Sequence, residues 1–198
     1  MDDIVKQALA KWPNVPYCYG WLGLDARGNW RMRDERAQHL NLPGDKLNHA
    51  ALVAFIVRNY AADERGCWYF QNGPQRVYLN LEATPFIART DPVEALVLHT
   101  GATLAAINAA WLTEQGELIL TASNVVAQVD DRDVAQLLAT VELDGEAVGD
   151  EQLLAWLARP HGALTLAYRG SRVAIGSLHS TELAQRLGFV RRPVPEGF

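Results

Sequence analysis

Cysteine is scarce in this sequence of 198 residues, which contains only Cys18 and Cys67. Neither lies in a Cys-x-x-Cys pair or at ligand spacing from a histidine, which disfavours a structural zinc site. A disulfide between the two is disfavoured in a reducing compartment. We therefore interpret both as small core residues and expect neither a metal nor a cofactor.

Long apolar runs and concentrated positive charge are also missing. The longest apolar run, residues 50–57, is far shorter than the roughly 20 residues that a membrane-spanning helix needs. The N-terminal residues lack the basic and apolar regions of a signal peptide. The net charge is −5 and no basic cluster exceeds Arg191-Arg192, which disfavours binding to nucleic acid. These absences predict a cytoplasmic protein with neither a membrane nor a nucleic acid as partner.

The common catalytic motifs are absent as well. The sequence has no Gly-x-Ser-x-Gly, no P-loop, no His-Glu-x-x-His and no Gly-x-Gly-x-x-Gly, and its five histidines are dispersed. No nucleophile and base can be paired from the sequence, so an enzyme ranks below a binding protein. With 49% hydrophobic residues, the chain nevertheless has the composition of a folded protein with a core.

The stretch Cys67–Leu79, CWYFQNGPQRVYL, is the most informative part of the sequence. Large apolar and polar residues alternate on both sides of Asn72-Gly73, which predicts a β-hairpin. Because Pro74 has no N–H, we expect a four-residue loop rather than a two-residue turn. Strict alternation places Tyr69 and Tyr78 on the face opposite Phe70 and Val77.

An internal repeat indicates the architecture. Residues 44–58 and 145–159 share a glycine, an acid and an apolar helical pattern that ends in arginine, and residues 66–79 align with 162–175. The pattern favours an α+β fold of tandem duplicated hairpin–helix–hairpin modules with antiparallel sheets. We expect one domain at 1–92, which includes an N-terminal helix, and a second at 93–198. Residues 34–43 are polar and are interpreted as a loop.

Four stretches carry a resemblance to a known family: Gly28-Asn29-Trp30, Gly44-Asp45, Gly66–Phe70 and Val77–Phe86. Together they resemble bacterial proteins of the domain-of-unknown-function 1285 family. The stretch Glu82–Phe86 is one residue longer than its counterpart, which indicates a related proteobacterial family. The resemblance implies two repeated modules, the second similar to pleckstrin-homology folds, and a site for a nucleotide-like ligand between them.

The candidate site residues surround the predicted hairpin. Arginine offers a rigid fork of donors that suits carboxylate or phosphate, glutamine and asparagine add neutral polar groups, and tyrosine offers a ring surface. The residues chosen on these grounds are Arg76, Gln71, Asn72, Gln75, Arg58, Tyr69 and Tyr78. Two structural alternatives stay open: Arg76 could pair with Glu82 or Asp63, and Arg58 could cap its own helix.

Two functions from different classes fit these observations. The first is a non-enzymatic protein that binds a small anionic or nucleotide-like ligand, or a signalling protein, with its site at the junction of the two modules. The alternative is a protein–protein interaction module that uses exposed sheet edges and aromatic side chains. Open sheet edges also favour a homodimer.

Overall fold

The computed structural model describes residues 1–195, which form two compact units. The first unit comprises Met1–Pro85 and the described residues from Gly188 onward, and the second comprises Phe86–Leu187. This boundary lies seven residues before the expected one at residue 92, and the C-terminal segment belongs to the first unit. Helices and strands occur in both units, so the predicted α+β class is confirmed.

The first unit is a six-stranded sheet with three helices. Its elements are α1 (Asp3–Lys11), β1 (Cys18–Leu24), β2 (Trp30–Met32), α2 (Glu35–His39), β3 (Asp45–Lys46), α3 (Ala50–Arg58), β4 (Tyr60–Ala62), β5 (Trp68–Asn72) and β6 (Gln75–Leu81). The strand order is β3-β2-β1-β6-β5-β4. The expectation of a purely antiparallel sheet is wrong, because β1 pairs with β6 in parallel.

The parallel pair β1–β6 also forms the centre of the core of this unit. Leu22 lies opposite Leu79 and Leu24 opposite Leu81, and each of these four side chains is at most 3% exposed. Burying a leucine contributes about 2 kcal/mol, so this pairing stabilises the sheet at the point where its two halves join. Helix α3 contributes Ile56, which is also buried.

Two local expectations for the first unit are wrong. The β5–β6 hairpin pairs Asn72 with Gln75, so Gly73-Pro74 forms a two-residue turn instead of a four-residue loop. Gly73 has φ +56°, the conformation that the first position of such a turn requires, and Pro74 occupies a position that donates nothing to the ladder. The segment 34–43 contains helix α2, which Asp34 caps by accepting the Ala37 N–H at 2.7 Å.

The second unit is built on a nine-stranded sheet. Its elements are β7 (Phe86–Asp91), β8 (Ala95–Leu98), β9 (Ala109–Leu112), β10 (Leu118–Ala122), β11 (Val125–Val129), α4 (Val134–Leu138), β12 (Val141–Leu143), β13 (Glu146–Ala147), α5 (Asp150–Ala158), β14 (Leu164–Tyr168), β15 (Ser171–Ser177) and α6 (Leu183–Arg186). The order is β13-β12-β14-β15-β9-β10-β11-β7-β8. Two pairs, β15–β9 and β11–β7, are parallel, so this sheet is mixed as well.

The core of the second unit lies on its sheet under α5. Trp156 of α5 is 3% exposed and packs in one cluster with Leu112, Leu120 and Leu166, all nearly or fully buried. Within residues 1–195, no helix is long and apolar enough to cross a membrane. The same residues contain no group of three or more histidine, cysteine, aspartate or glutamate side chains arranged to hold a metal ion.

Candidate functional site

The register of the β5–β6 hairpin determines which side chains share a face. Tyr69 lies opposite Tyr78, and Gln71 lies opposite Arg76. Directly opposed residues in an antiparallel pair point to the same side of the sheet, so these four side chains share one face. Phe70 and Val77, which also oppose each other, occupy the other face, as the sequence predicts.

Three of these four residues line a cleft of about 700 Å³. The strand β1, the segment before it and the β4–β5 turn supply most of the remaining wall. The complete lining is Tyr17, Tyr19, Ala62, Asp63, Glu64, Arg65, Tyr69, Arg76, Tyr78 and Pro195. All of these residues belong to the first unit. We call this surface the tyrosine cleft.

Arg76 is the cation of the tyrosine cleft that no carboxylate among the described residues neutralises. Its guanidinium lies 4.5 Å from the ring centroid of Tyr69 and 5.4 Å from that of Tyr17, and Nη1 lies 3.5 Å from the Tyr78 hydroxyl. Among the described residues no carboxylate pairs with it, so neither Glu82 nor Asp63 is its partner. Tyrosine rings attract and orient a cation without cancelling its charge, and the guanidinium keeps donors for an anion.

Asp63 is the largely buried acid of the cleft. Its hydrogen-bonding capacity is used within the protein. Its Oδ1 accepts hydrogen bonds from the backbone N–H groups of Arg65 and Cys67 at 3.0 and 2.9 Å. Its Oδ2 accepts one from the Tyr78 hydroxyl at 3.0 Å and forms an ion pair with the Arg65 guanidinium at 3.4 Å. Burial alone would raise the pKa of Asp63, but these bonds hold its pKa below the ordinary value. The acid therefore stays ionised and holds Arg65 on its own side of the cleft.

Tyr78 connects the acid to Arg76. Burial is the main reason that the pKa of the Tyr78 phenol is raised, and its bond to Asp63 acts in the same direction. The phenol is therefore neutral at ordinary pH and donates a hydrogen bond to Asp63, while its oxygen accepts one from Arg76. Side chains in such a chain of polar contacts hold one another in fixed positions.

A surface of aromatic rings surrounds this network. The rings of Tyr19 and Tyr78 stack with their centroids 4.7 Å apart and 6° between their planes, and Tyr17 meets Tyr78 edge to face at 5.7 Å. Tyr17 is 48% exposed, so part of its ring is open to solvent next to Arg76. The cleft thus combines the Arg76 guanidinium, which can donate hydrogen bonds to an oxyanion, with a surface on which a planar ring can stack.

The other predicted site residues lie outside the cleft. Gln71 is fully buried and donates to the Gly73 carbonyl at 2.9 Å, and Gln75 donates to the Pro16 carbonyl at 2.9 Å. Asn72 lies at the edge of an apolar cavity on the opposite face of the hairpin. Arg58 pairs with Asp2 at 3.3 Å. These four residues have structural partners or positions, and the structure does not place them in the lining of the tyrosine cleft.

Comparison with known proteins gives a family. The model of one family, described as "Protein of unknown function (DUF2946)", matches residues 1–194. The chain belongs to this family. No curated protein matches the chain.

One solved structure is similar to this family member, a crystal structure of a DUF1285 family protein from Silicibacter pomeroyi DSS-3. The two share 16% sequence identity with a TM-score of 0.48, over 94% of this chain and 100% of the other. This similarity is the one that the resemblance in the sequence predicts.

Seven residues of the cleft were not predicted from the sequence, among them Tyr17, Tyr19, Asp63 and Arg65. The alternation in Tyr17-Cys18-Tyr19 is a signal for two rings on one face of a strand. The turn Asp63–Gly66 between two strands gives a signal for an aspartate that accepts backbone N–H groups. Neither signal indicates that these residues face the hairpin. Tyr17 and Tyr19 reach it through the pairing of β1 with β6, and Asp63 and Arg65 through the pairing of β4 with β5.

Proposed function

We propose that this protein is a non-enzymatic cytoplasmic binding or signalling protein whose tyrosine cleft takes a small anionic, nucleotide-like ligand. The observation that carries the proposal is the Arg76 guanidinium, which three tyrosines orient and which no carboxylate among the described residues neutralises. An arginine of this kind is matched by the two oxygens of a phosphate or carboxylate group.

The tyrosines favour an anion that carries a planar ring. A base that stacks on the exposed Tyr17 ring contributes about 1–3 kcal/mol in comparable single-ring sites. The cleft volume of about 700 Å³ lies within the range of pockets that hold small organic ligands. A nucleoside monophosphate has both parts, an oxyanion for Arg76 and a base for Tyr17.

Internal duplication is part of the proposal, and it supplies the control for the experiment. The β5–β6 and β14–β15 hairpins have the same register: Gln71 faces Arg76 and Ala167 faces Arg172, each followed by a two-residue turn. Arg172 is exposed and pairs with Glu142 at 2.8 Å. It is therefore an arginine at the same hairpin position whose charge is already neutralised.

Calorimetric titration with three probes tests the proposal: AMP, ribose 5-phosphate and inorganic phosphate. We expect AMP to bind, and Arg76→Ala to weaken it roughly tenfold or more, because a hydrogen bond to a charged group is worth about 1.5–3 kcal/mol. Arg172→Ala should bind like the wild type. Tyr17→Ala should weaken AMP binding more than ribose 5-phosphate binding, since only AMP has a base to stack on this ring.

Two results would overturn the ligand proposal: no AMP binding at millimolar concentration, or equal AMP binding by wild type and Arg76→Ala. The alternative, a protein–protein interaction module or a homodimer, rests on the end strands of the two sheets, such as β3 and β4 in the first unit. A specific partner that is lost on Tyr17→Ala, without any small-molecule binding, would favour that alternative.

A further inference from the structure

A second cavity of the first unit, of about 320 Å³, lies over a glycine in the middle of the sheet. Gly23 of β1 is paired with Arg31 of β2 on one side and with Asn80 of β6 on the other. Cross-strand partners share a face, so Arg31 and Asn80 flank a position without a side chain. The missing side chain leaves space between its two polar neighbours, and Gly23, Arg31 and Asn80 all line the cavity. We call it the Gly23 cavity.

The Gly23 cavity has more unneutralised positive charge than negative charge. Arg33 lines it and is 7% exposed, yet its guanidinium donates only to neutral oxygens, namely the carbonyls of Leu42, Gly20 and Ala37 and Oδ1 of Asn41. Arg192 also lines the cavity and is exposed. Among the described residues, neither arginine pairs with a carboxylate. A buried charge is costly without an opposite charge nearby.

The two acids of the cavity do not cancel this excess. Asp25 pairs with Arg31 at 2.8 Å and accepts the backbone N–H groups of Arg27 and Asn29, so its charge and its lone pairs are used within the protein. Glu82 accepts the Ala26 N–H at 3.1 Å and is exposed. The charges that remain are those of Arg33 and Arg192 against that of Glu82.

The hydrogen-bonding groups of the cavity also favour an anion. The side-chain amide of Asn80 has no hydrogen-bond partner among the residues that the structure describes, and neither has the guanidinium of Arg192. A site with spare N–H donors and a buried, unpaired guanidinium matches a ligand that carries only acceptors. We propose that the Gly23 cavity is a binding site for a small oxyanion, the carboxylate or phosphate group of a metabolite, separate from the tyrosine cleft.

The glycine allows a direct test by filling the cavity. A Cβ at residue 23 would meet the Asn80 backbone oxygen at 3.4 Å and Arg33 Cδ at 3.7 Å, and both are ordinary contact distances. Residue 23 lies in a strand without positive φ, where valine is favoured. Gly23→Val should therefore fold, while its methyl groups occupy the space that a ligand would need.

The experiment is a calorimetric titration of the full chain at constant ionic strength, with inorganic phosphate and with succinate as probes. We expect at least one of them to bind, which also distinguishes phosphate from carboxylate as the recognised group. Gly23→Val should weaken binding roughly tenfold or more, and Arg192→Gln roughly threefold to tenfold, because each charged contact is worth about 1 kcal/mol or more. Arg186→Gln, which alters an exposed arginine in the second unit, should bind like the wild type.

Titrations in the Arg76→Ala background separate this inference from the proposed function, because this change removes the anion contact of the tyrosine cleft and leaves only the binding at the Gly23 cavity, which should persist. The inference is overturned if neither probe binds at millimolar concentration, if Gly23→Val and Arg192→Gln both bind like the wild type, or if Arg76→Ala removes the binding. Circular dichroism establishes whether Gly23→Val is folded, and if it is not, Arg192→Gln alone decides.

Discussion

Replacing Asp63 by asparagine should change stability and ligand affinity in opposite directions. In the wild type, Asp63 holds Arg65 and accepts the Tyr78 hydroxyl, and it lies two hydrogen bonds away from Arg76. The asparagine oxygen can still accept the N–H groups of Arg65 and Cys67, but the charge disappears. The fold then loses a charged acceptor, whereas an anion in the cleft loses a repelling neighbour.

Both effects can be given a size. The Asp63 side chain is 10% exposed, and loss of its charge-assisted bonds should lower the free energy of unfolding by about 1–2 kcal/mol, since one neutral oxygen still accepts. For binding, a unit charge at roughly 6 Å and an effective dielectric constant of roughly 50–80 contributes about 1 kcal/mol. Affinity for AMP should therefore rise about fivefold.

Urea denaturation measures the first effect and calorimetric titration with AMP measures the second. Glu64→Gln is the matched control, because it removes an equal charge from the lining of the same cleft at an exposed residue that takes part in no described hydrogen bond. This control should leave the urea midpoint unaltered and raise affinity less. A variant Asp63→Asn that is as stable as the wild type and binds AMP more weakly would refute the reasoning.

Two further predictions concern stability. Asp130 is 1% exposed, and its hydrogen bonds and ion pair with Arg132 hold its pKa well below the ordinary value. Its contribution to stability is therefore complete above about pH 4 and is lost as the pH falls. Asp130→Asn should lower the free energy of unfolding in urea at pH 7 by about 2 kcal/mol, and should make the free energy of unfolding depend less on pH in the acid range. Gly66→Ala should cost about 3 kcal/mol or more and lower the melting temperature, because its Cβ would lie 2.3 Å from the Gly188 carbonyl oxygen at φ +77°. Gly116→Ala, with φ +79° but open space around the Cβ, should cost about 1 kcal/mol.

Local patterns in the sequence were sufficient for the hairpin but not for its surroundings. The alternation around Asn72-Gly73 gives the cross-strand pair Tyr69–Tyr78, because the side-chain period of a strand is two residues and the turn sets the register. The turn length was mispredicted because Pro74 lies outside the paired residues Asn72 and Gln75. At that position the strand ladder needs no N–H donor, so proline is compatible with a two-residue turn. Helix α2 was missed since its five residues carry little periodicity, although Asp34 is a usual capping residue.

The opposite wall of the tyrosine cleft depends on a long-range pairing. Cys18 is paired with Val77 and Leu22 with Leu79, which brings Tyr17 and Tyr19 to the hairpin across about sixty residues of chain. Parallel pairing of distant strands leaves no turn motif in the sequence. A strand that is buried on both faces also lacks the alternation of apolar and polar residues from which its position in the sheet could be predicted. The sequence therefore indicated Arg76 and its two tyrosines but not the side chains that orient them.

Side chains at matched positions distinguish the two hairpins and explain why the β5–β6 hairpin lines the tyrosine cleft. In the second unit, Thr165 lies opposite Ala174 and Ala167 opposite Arg172, at the positions that Tyr69, Tyr78, Gln71 and Arg76 occupy in the first. The backbone register is the same, so the backbone does not determine the difference. The rings do, because without them the arginine has no surface to hold it over the sheet, and Arg172 instead reaches Glu142. Placing tyrosines at positions 165 and 174 while removing the acid, as Thr165→Tyr, Ala174→Tyr and Glu142→Gln together, should give a second AMP site. A calorimetric stoichiometry that stays at one would show that the β1 tyrosines are also required.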